Sequence, residues 1–364
     1  MSLHTSDPHQ NLPTTIRLTS PADIVALLPY LVGYHPADDL QLLTINGDEV
    51  DAVLHCPLPE PTDDLTPTVT ETVQVLIRNA ATQVVLIAHG PGERVTPVMD
   101  AFAPALTARG ITVLDMIRYE NGRCWSYLCR NPACCPPEGI PYDTTSNPAA
   151  ARAVVAGLVA LPDRQAFEQT LRPVQGQDRH TMTAATAAAR ARAETLLKDT
   201  TLDVAYWLGE GLACARRCFE HVRAARAIPA DELAWLGVLL TAVSIRDITY
   251  TLSREYGTNL AQRLWTEATR RIDPAYAAAP ATNLAHLAIR TGQGALARLA
   301  ANRALDADPD CSFARLILTA LQLGIPALTD GITDDLAQTI TEHAARHPHT
   351  AKPVLPDASA EPTA

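Results

Sequence analysis

A chain of 364 residues, 47% of them apolar and 19% charged, holds more hydrophobic material than one core usually takes up, so two domains are expected. Its formal charge of -11 argues against duplex DNA or an anionic membrane as a whole-surface partner, since both call for a positive footprint. Eight cysteines at this length do not make a disulfide framework; in a reducing compartment they read as buried small hydrophobes, metal ligands or reactive thiols.

Residues 1 to 15 have neither the cationic start nor the apolar stretch of an export signal, and residues 1 to 13 read as a flexible N-terminus. The longest uncharged apolar run, residues 233 to 245, falls short of the roughly 20 residues a membrane span needs. A cytoplasmic protein with no membrane segment is the expectation.

Residues 14 to 146 alternate short β-rich runs with helical stretches, the pattern of an α/β domain with a mixed sheet, flanking helices and two β-hairpins. Ile16-Arg17-Leu18 reads as a first strand. Ser20 then serves as an N-cap and Pro21 as the first residue of a helix that stops at Gly33. Strands at 40 to 45 and 50 to 56 flank Asn46-Gly47, and strands at 113 to 119 and 123 to 128 flank Asn121-Gly122; Asn-Gly supplies the positive backbone angles of a tight hairpin. Between them lie a helix near 64 to 81, an apolar strand at 83 to 88 and a helix near 94 to 109, so part of the sheet is expected to be parallel.

From Asn147-Pro148 onward alanine-rich helical patterns replace the strands, giving an all-α domain over residues 147 to 330. Leu208, Leu212, Ala215, Phe219 and Val222 form one apolar stripe, and Arg216, Arg217, Arg223 and Arg226 lie on the opposite, solvated face. Leu284, Gly292, Ala297, Ala304, Leu305 and Pro309 sit at the spacings of a tetratricopeptide helical hairpin, whose common use is contact with a protein partner. Residues 331 to 364 read as a short helix and a disordered, proline-rich tail.

Chemistry is expected at three places. Gly33-Tyr34-His35-Pro36 puts His35 on a loop stiffened by proline, with Asp38 and Asp39 three and four residues on; a histidine beside carboxylates suits a general base, a metal site or a pH switch. His35 and Asp38 are the catalytic candidates, the alternative being that Asp38 caps a turn and His35 bonds the main chain. The strand ending at Ala88 runs into His89-Gly90-Pro91-Gly92 and a helix, the position where α/β sheets bind ligands. The expected ligand-binding set is therefore Tyr34, His35, Asp38, Asp39, His89, Gly90 and Gly92. Val95 stands where a third glycine would complete a nucleotide fingerprint, and Glu93 would repel an anion.

The third place is the thiol-rich segment of residues 124 to 135. Thiolates at short spacing suit a tetrahedral zinc ion. On a regular strand, however, Cys124 and Cys129 point to opposite faces and the adjacent Cys134 and Cys135 diverge, which argues against a four-cysteine site. The metal candidates are Cys129, Cys134 and Cys135, read as a composite site of Cys129, one of the adjacent pair and a distant histidine such as His35, beside a reactive or disulfide-forming pair and a plain turn stiffened by Pro136-Pro137. Cys214, Cys218 and His221 share a helical face, where small residues on a half-buried stripe explain them; Arg246-Asp247 is expected to form an ion pair between helices.

Three motifs occur in order: Pro29-Tyr30-Leu31-Val32-Gly33-Tyr34-His35-Pro36, Cys134-Cys135-Pro136-Pro137-Glu138-Gly139 and Gly292-Gln293-Gly294-Ala295-Leu296-Ala297. Together they resemble an actinobacterial family known as domain of unknown function 4192, over roughly residues 14 to 326. Serine is common in that family where Asp39 stands. The resemblance implies no reaction, cofactor or catalytic residue. The functional expectation is a non-catalytic ligand- or protein-binding module, with a protein partner at the helical domain. Its alternatives are a hydrolase-like enzyme using His35, Asp38 and a nearby cysteine, and a cysteine-based zinc or redox sensor.

Overall fold

Two Asn-Gly turns organise the first half of the chain. In the computed structural model, residues 2–6, 13–17, 21–47, 49–142, 147–325 and 336–356 are described. Strands β1 (Ser2–Ser6) and β2 (Pro13–Arg17) precede α1 (Pro21–Val32), and the hairpin β3 (Asp39–Asn46) with β4 (Glu49–Pro57) follows. Then come α2 (Leu65–Arg78), β5 (Gln83–His89), α3 (Gly92–Thr107), β6 (Thr112–Glu120), β7 (Arg123–Ser126), β8 (Ile140–Pro141), α4 (Pro148–Val155) and α5 (Arg164–Gln169). The first hairpin closes at Asn46 and Glu49 with Gly47 at φ +59°. The second closes at Glu120 and Arg123 with Asn121 at +48° and Gly122 at +72°, the two positive angles whose twist matches the strands.

The strands make one eight-stranded sheet in the order β2-β1-β4-β3-β5-β6-β7-β8. β5 and β6 run parallel, as the intervening helix α3 requires, and the two Asn-Gly hairpins are antiparallel. Side chains alternate between two cores. Leu40, Leu42, Val84, Leu86 and Ala88 pack with α2 and α3; Leu43, Ile45, Val85 and Ile87 pack with α1 and α4. Leu27, Leu28, Leu40 and Leu42 are fully buried, each worth about 1.5–3 kcal/mol of transfer free energy. The Ser20 cap and Leu18 lie outside the described residues. Ser2–Ser6, expected to be flexible, pair along their whole length with β2, whose Thr14, Thr15 and Ile16 carry strand propensity that offers them a partner.

Two compact units share the chain: residues 1–167 with 322–326, and residues 168–321 with 327–364. The division falls some twenty residues later than residue 146, because α4 belongs with the sheet. Asn147 caps α4 through the Ala149 N–H and donates to Asp23, and Ala149 and Ala153 sit in the α1 core. An alanine-rich helix resembles the helical half in composition; its small face is what lets it lie close to α1.

The second unit contains α6 (Gly176–Leu197), α7 (Val204–Arg223), α8 (Ala230–Leu239), α9 (Val243–Tyr256), α10 (Thr258–Arg271), α11 (Ala278–Arg290), α12 (Gly294–Ala307), α13 (Ser312–Gln322) and α14 (Leu336–Arg346). α11 and α12 form the expected hairpin, turning at Gly292 (φ +73°) and packing Leu284, Ala288, Ala297 and Ala304 in its interior. Three of the arginines on the polar face of α7 are paired: Arg216 with Glu255, Arg217 with Glu232 and Arg223 with Glu220. Arg246 pairs with its neighbour Asp247 at 2.7 Å within α9, not across helices, since adjacent side chains at this helix's rim can reach each other.

Residues 347 to 356, expected to be disordered, are ordered. Thr350 bonds Ser244 (2.7 Å), the Val354 N–H donates to Thr241 (2.9 Å), Arg190 donates to the Pro356 carbonyl and Ala351 is fully buried. Irregular backbone lacks apolar periodicity, but side-chain hydrogen bonds to α9 and its approach anchor it equally well. No helix among the described residues is long and apolar enough to cross a membrane.

Candidate functional site

At the carboxyl ends of β5 and β6 the sheet carries polar side chains where its core would otherwise continue. Register sets this: Asp39 lies opposite His89, Gln41 opposite both His55 and Ile87, and His89 beside Tyr119. Alternation then turns Asp39, Gln41, His55, His89 and Tyr119 toward the α1 face. Gly33, at φ +94°, ends α1 and delivers Tyr34 into the same cluster, where Tyr34 bridges to Leu161 through the backbone.

Asp39 is almost fully buried, and its Oδ2 lies 3.0 Å from His55 Nε2. The Tyr34 hydroxyl is 3.1 Å from that nitrogen and 3.4 Å from Asp39 Oδ2. The carboxylate thus holds one His55 nitrogen, and the other is not committed to it. His89 packs edge-on against Tyr119, with ring centres 5.3 Å apart. Burial holds its imidazole down at about 4, against the upward pull of Asp39 and with a further push from His55 and His35, so His89 is neutral at pH 7.

Both ring nitrogens of His89 and both amide atoms of Gln41 are buried with no hydrogen-bond partner among the described residues. An unsatisfied buried polar group costs about 1–3 kcal/mol, so two side chains placed diagonally on one sheet face and carrying four such atoms are expensive unless something polar meets them.

The other expected residues do different work. His35 is exposed and its N–H donates to the Leu161 carbonyl at 2.9 Å. Asp38 adopts φ +53° and pairs at 2.8 Å with Arg94, which also reaches the Leu58 carbonyl and Glu60. That carboxylate therefore ties the β3 approach to α3. The Gly90 N–H donates to the Tyr119 carbonyl, and Gly92 makes room for the Arg118 guanidinium: a Cβ there would lie 2.2 Å from Arg118 Nη1. Arg118 in turn stacks 3.7 Å over Trp125 and pairs with Glu120. Cys56 projects from the opposite sheet face, and burial, with Asp39, pushes its thiol up to about 12.

His55 and Gln41 were not singled out from sequence. The two-residue turn of the first hairpin fixes partners only as far as Ile45 and Val50; the shift between Thr44 and Ile45 then moves His55 from Leu40 to Gln41, which the turn signal by itself does not give.

The thiols form a second cluster. β7 returns along β6, so the segment that follows it begins beside Met116, where the Tyr127 N–H donates to the Met116 carbonyl. Along the strand this is three residues from Tyr119, roughly 10 Å. The Sγ atoms of Cys129, Cys134 and Cys135 all lie within 4.8 Å of one another. Adjacent Cys134 and Cys135 do not diverge, because residues 132–134 form a turn and not a strand; both N–H groups donate to the Asn131 carbonyl, at 3.0 and 2.7 Å. The Asn131 N–H, then the neighbouring Cys135 thiol, draw the Cys129 thiol below its ordinary range. Cys124 is buried in the α1 core, and Cys214 and Cys218 are fully buried in α7.

The family described as domain of unknown function (DUF4192) matches residues 21–327. The chain belongs to this family. No curated protein matches it, and no solved structure matches it. The DUF4192 match spans the imidazole cluster, the thiol cluster and the α11–α12 hairpin, whereas β1, β2 and α14 lie outside it.

Proposed function

We propose that this protein is a ligand-binding module whose site is the cluster of Asp39, Gln41, His55 and His89. The supporting observation is the set of four buried polar atoms on Gln41 and His89 that lack partners beside an already paired Asp39. A neutral imidazole and a primary amide each offer one donor and one acceptor side. Their natural complement is a small polar molecule carrying both kinds of group, uncharged or cationic, because Asp39 disfavours an anion. Binding without catalysis fits the placement of the thiols: Cys56 is protonated on the other face, and the segment carrying the Cys129 cluster begins beside Met116, three residues along β6 from Tyr119.

Thermal-shift screening of the purified chain against amides, polyols, nucleobases and small amines tests this reading. At least one compound class should stabilise the wild type, by about 2.7 kcal/mol at a hundredfold excess over Kd, and bind Gln41→Leu at least tenfold more weakly. Equal binding to both proteins would move the site elsewhere. Chemical conversion of the bound compound, abolished in His55→Gln, would replace binding with general-base catalysis by the Asp39–His55 pair.

A further inference from the structure

We propose that Cys129, Cys134 and Cys135 form a site for one thiophilic divalent cation, zinc foremost, with the fourth coordination position open to solvent or an external ligand. The inference is independent of the imidazole cluster and goes beyond the ligand-binding reading.

The first support is distance. Three sulfurs bound tetrahedrally at ~2.3 Å from zinc are about 3.8 Å apart. The three here already lie within 4.8 Å of one another, so rotation of the side chains, without rearrangement of the loop, closes the gap.

The second is that the loop is built before any ion arrives. Ser126 Oγ donates to Asp115 (2.6 Å) and accepts the N–H groups of Leu128 and Cys129, at 3.2 and 3.1 Å, fixing the backbone of the first ligand. Asn131 then turns the chain, its side chain accepting the Ala133 N–H and its carbonyl accepting those of Cys134 and Cys135. On the far side Trp125 donates to the Pro137 carbonyl and Arg123 to the carbonyls of Glu138 and Gly139. Pro132, Pro136 and Pro137 lower the entropy the loop loses on ordering.

Third, burial separates these cysteines from those that serve packing. Cys124, Cys214 and Cys218 are buried as small hydrophobes, whereas Cys134 is exposed and Cys129 and Cys135 are half-buried. Gathering three thiols at the surface gains little from the hydrophobic effect, and soft sulfur selects zinc-like ions over magnesium or calcium. Binding replaces the thiol protons with the metal, releasing up to three protons to solvent.

The test uses the full chain, reduced and stripped of metal, titrated with cobalt(II) and then zinc(II). One equivalent of cobalt should give sulfur-to-metal charge-transfer absorption with the intense visible bands of tetrahedral coordination, and zinc should abolish both. Cys129→Ser, Cys134→Ser and Cys135→Ser should each weaken zinc by roughly a hundredfold, while Cys311→Ser, in the other unit, should leave it unchanged. Thermal melts of the metal-free variants control for folding; Cys134→Ser, at an exposed position, should melt with the metal-free wild type. Octahedral cobalt spectra, a stoichiometry below half an equivalent, or affinity indifferent to all three substitutions would overturn the proposal. So would a thiol count two short of the eight in protein purified without oxygen, which would identify a disulfide instead.

Discussion

His89 shows how one residue carries a pH dependence into the whole α/β unit. Its folded-state value of about 4 lies below the 6.5 of an exposed histidine, so the folded protein favours the neutral ring and the unfolded chain binds the proton first. Stability contributed this way is complete above pH 6.5 and is lost as pH falls from there toward 4, up to about 3 kcal/mol. Urea unfolding at pH 7 and pH 4.5 should show that loss reduced in His89→Gln; equal losses in both proteins would sink the assignment. His286 in the helical unit, also held at about 4 by burial and by Arg290 and Arg246, adds its own contribution, so only the difference between variant and wild type is diagnostic. Gly139, at φ +79°, faces Trp125, and an added Cβ would lie 2.5 Å from that ring. Gly139→Ala should therefore destabilise the loop that carries the thiols by about 1–3 kcal/mol, read as a lower melting temperature.

Among the elements, the contrast between propensity and packing is sharpest in α7. Glycine inside a helix ordinarily costs about 1 kcal/mol relative to alanine. At Gly211, however, a Cβ would stand 2.4 Å from Ile245 Cγ2 of α9, so the glycine is what lets α7 and α9 approach. Gly211→Ala should destabilise the protein despite the better helix former, by about 1–3 kcal/mol in urea unfolding; a stabilised variant would show that the helices can separate without cost. The elements themselves were largely legible. The Asn-Gly hairpins, the α2 start at Asp64, which accepts the Thr66 N–H, and the α11–α12 turn all follow from signals a few residues long. α4 was legible as a helix but not in its allegiance, because alanine periodicity says which face is small and not what the face will meet.

For the molecule as a whole, the division near residue 167 makes a prediction about where the α/β unit can be cut. A chain ending at 146 loses α4 from the α1 core and the Leu161 backbone that holds Tyr34 and His35. It should melt below a chain ending at 167, and identical melting would show that α4 contributes nothing to the unit. The sequence by itself determined the α/β-then-α order, both hairpins and the bounds of α1, α2 and α3 to within about three residues, since turns, caps and periodicity act over a few residues. Only the tertiary structure decided that β3 pairs with β5, which sets Asp39 beside His89, and that a turn at Asn131 brings Cys129 to Cys134 and Cys135. Partners some fifty residues apart are chosen by which strands together bury the two cores, and that competition involves the entire sheet, not any local run of residues.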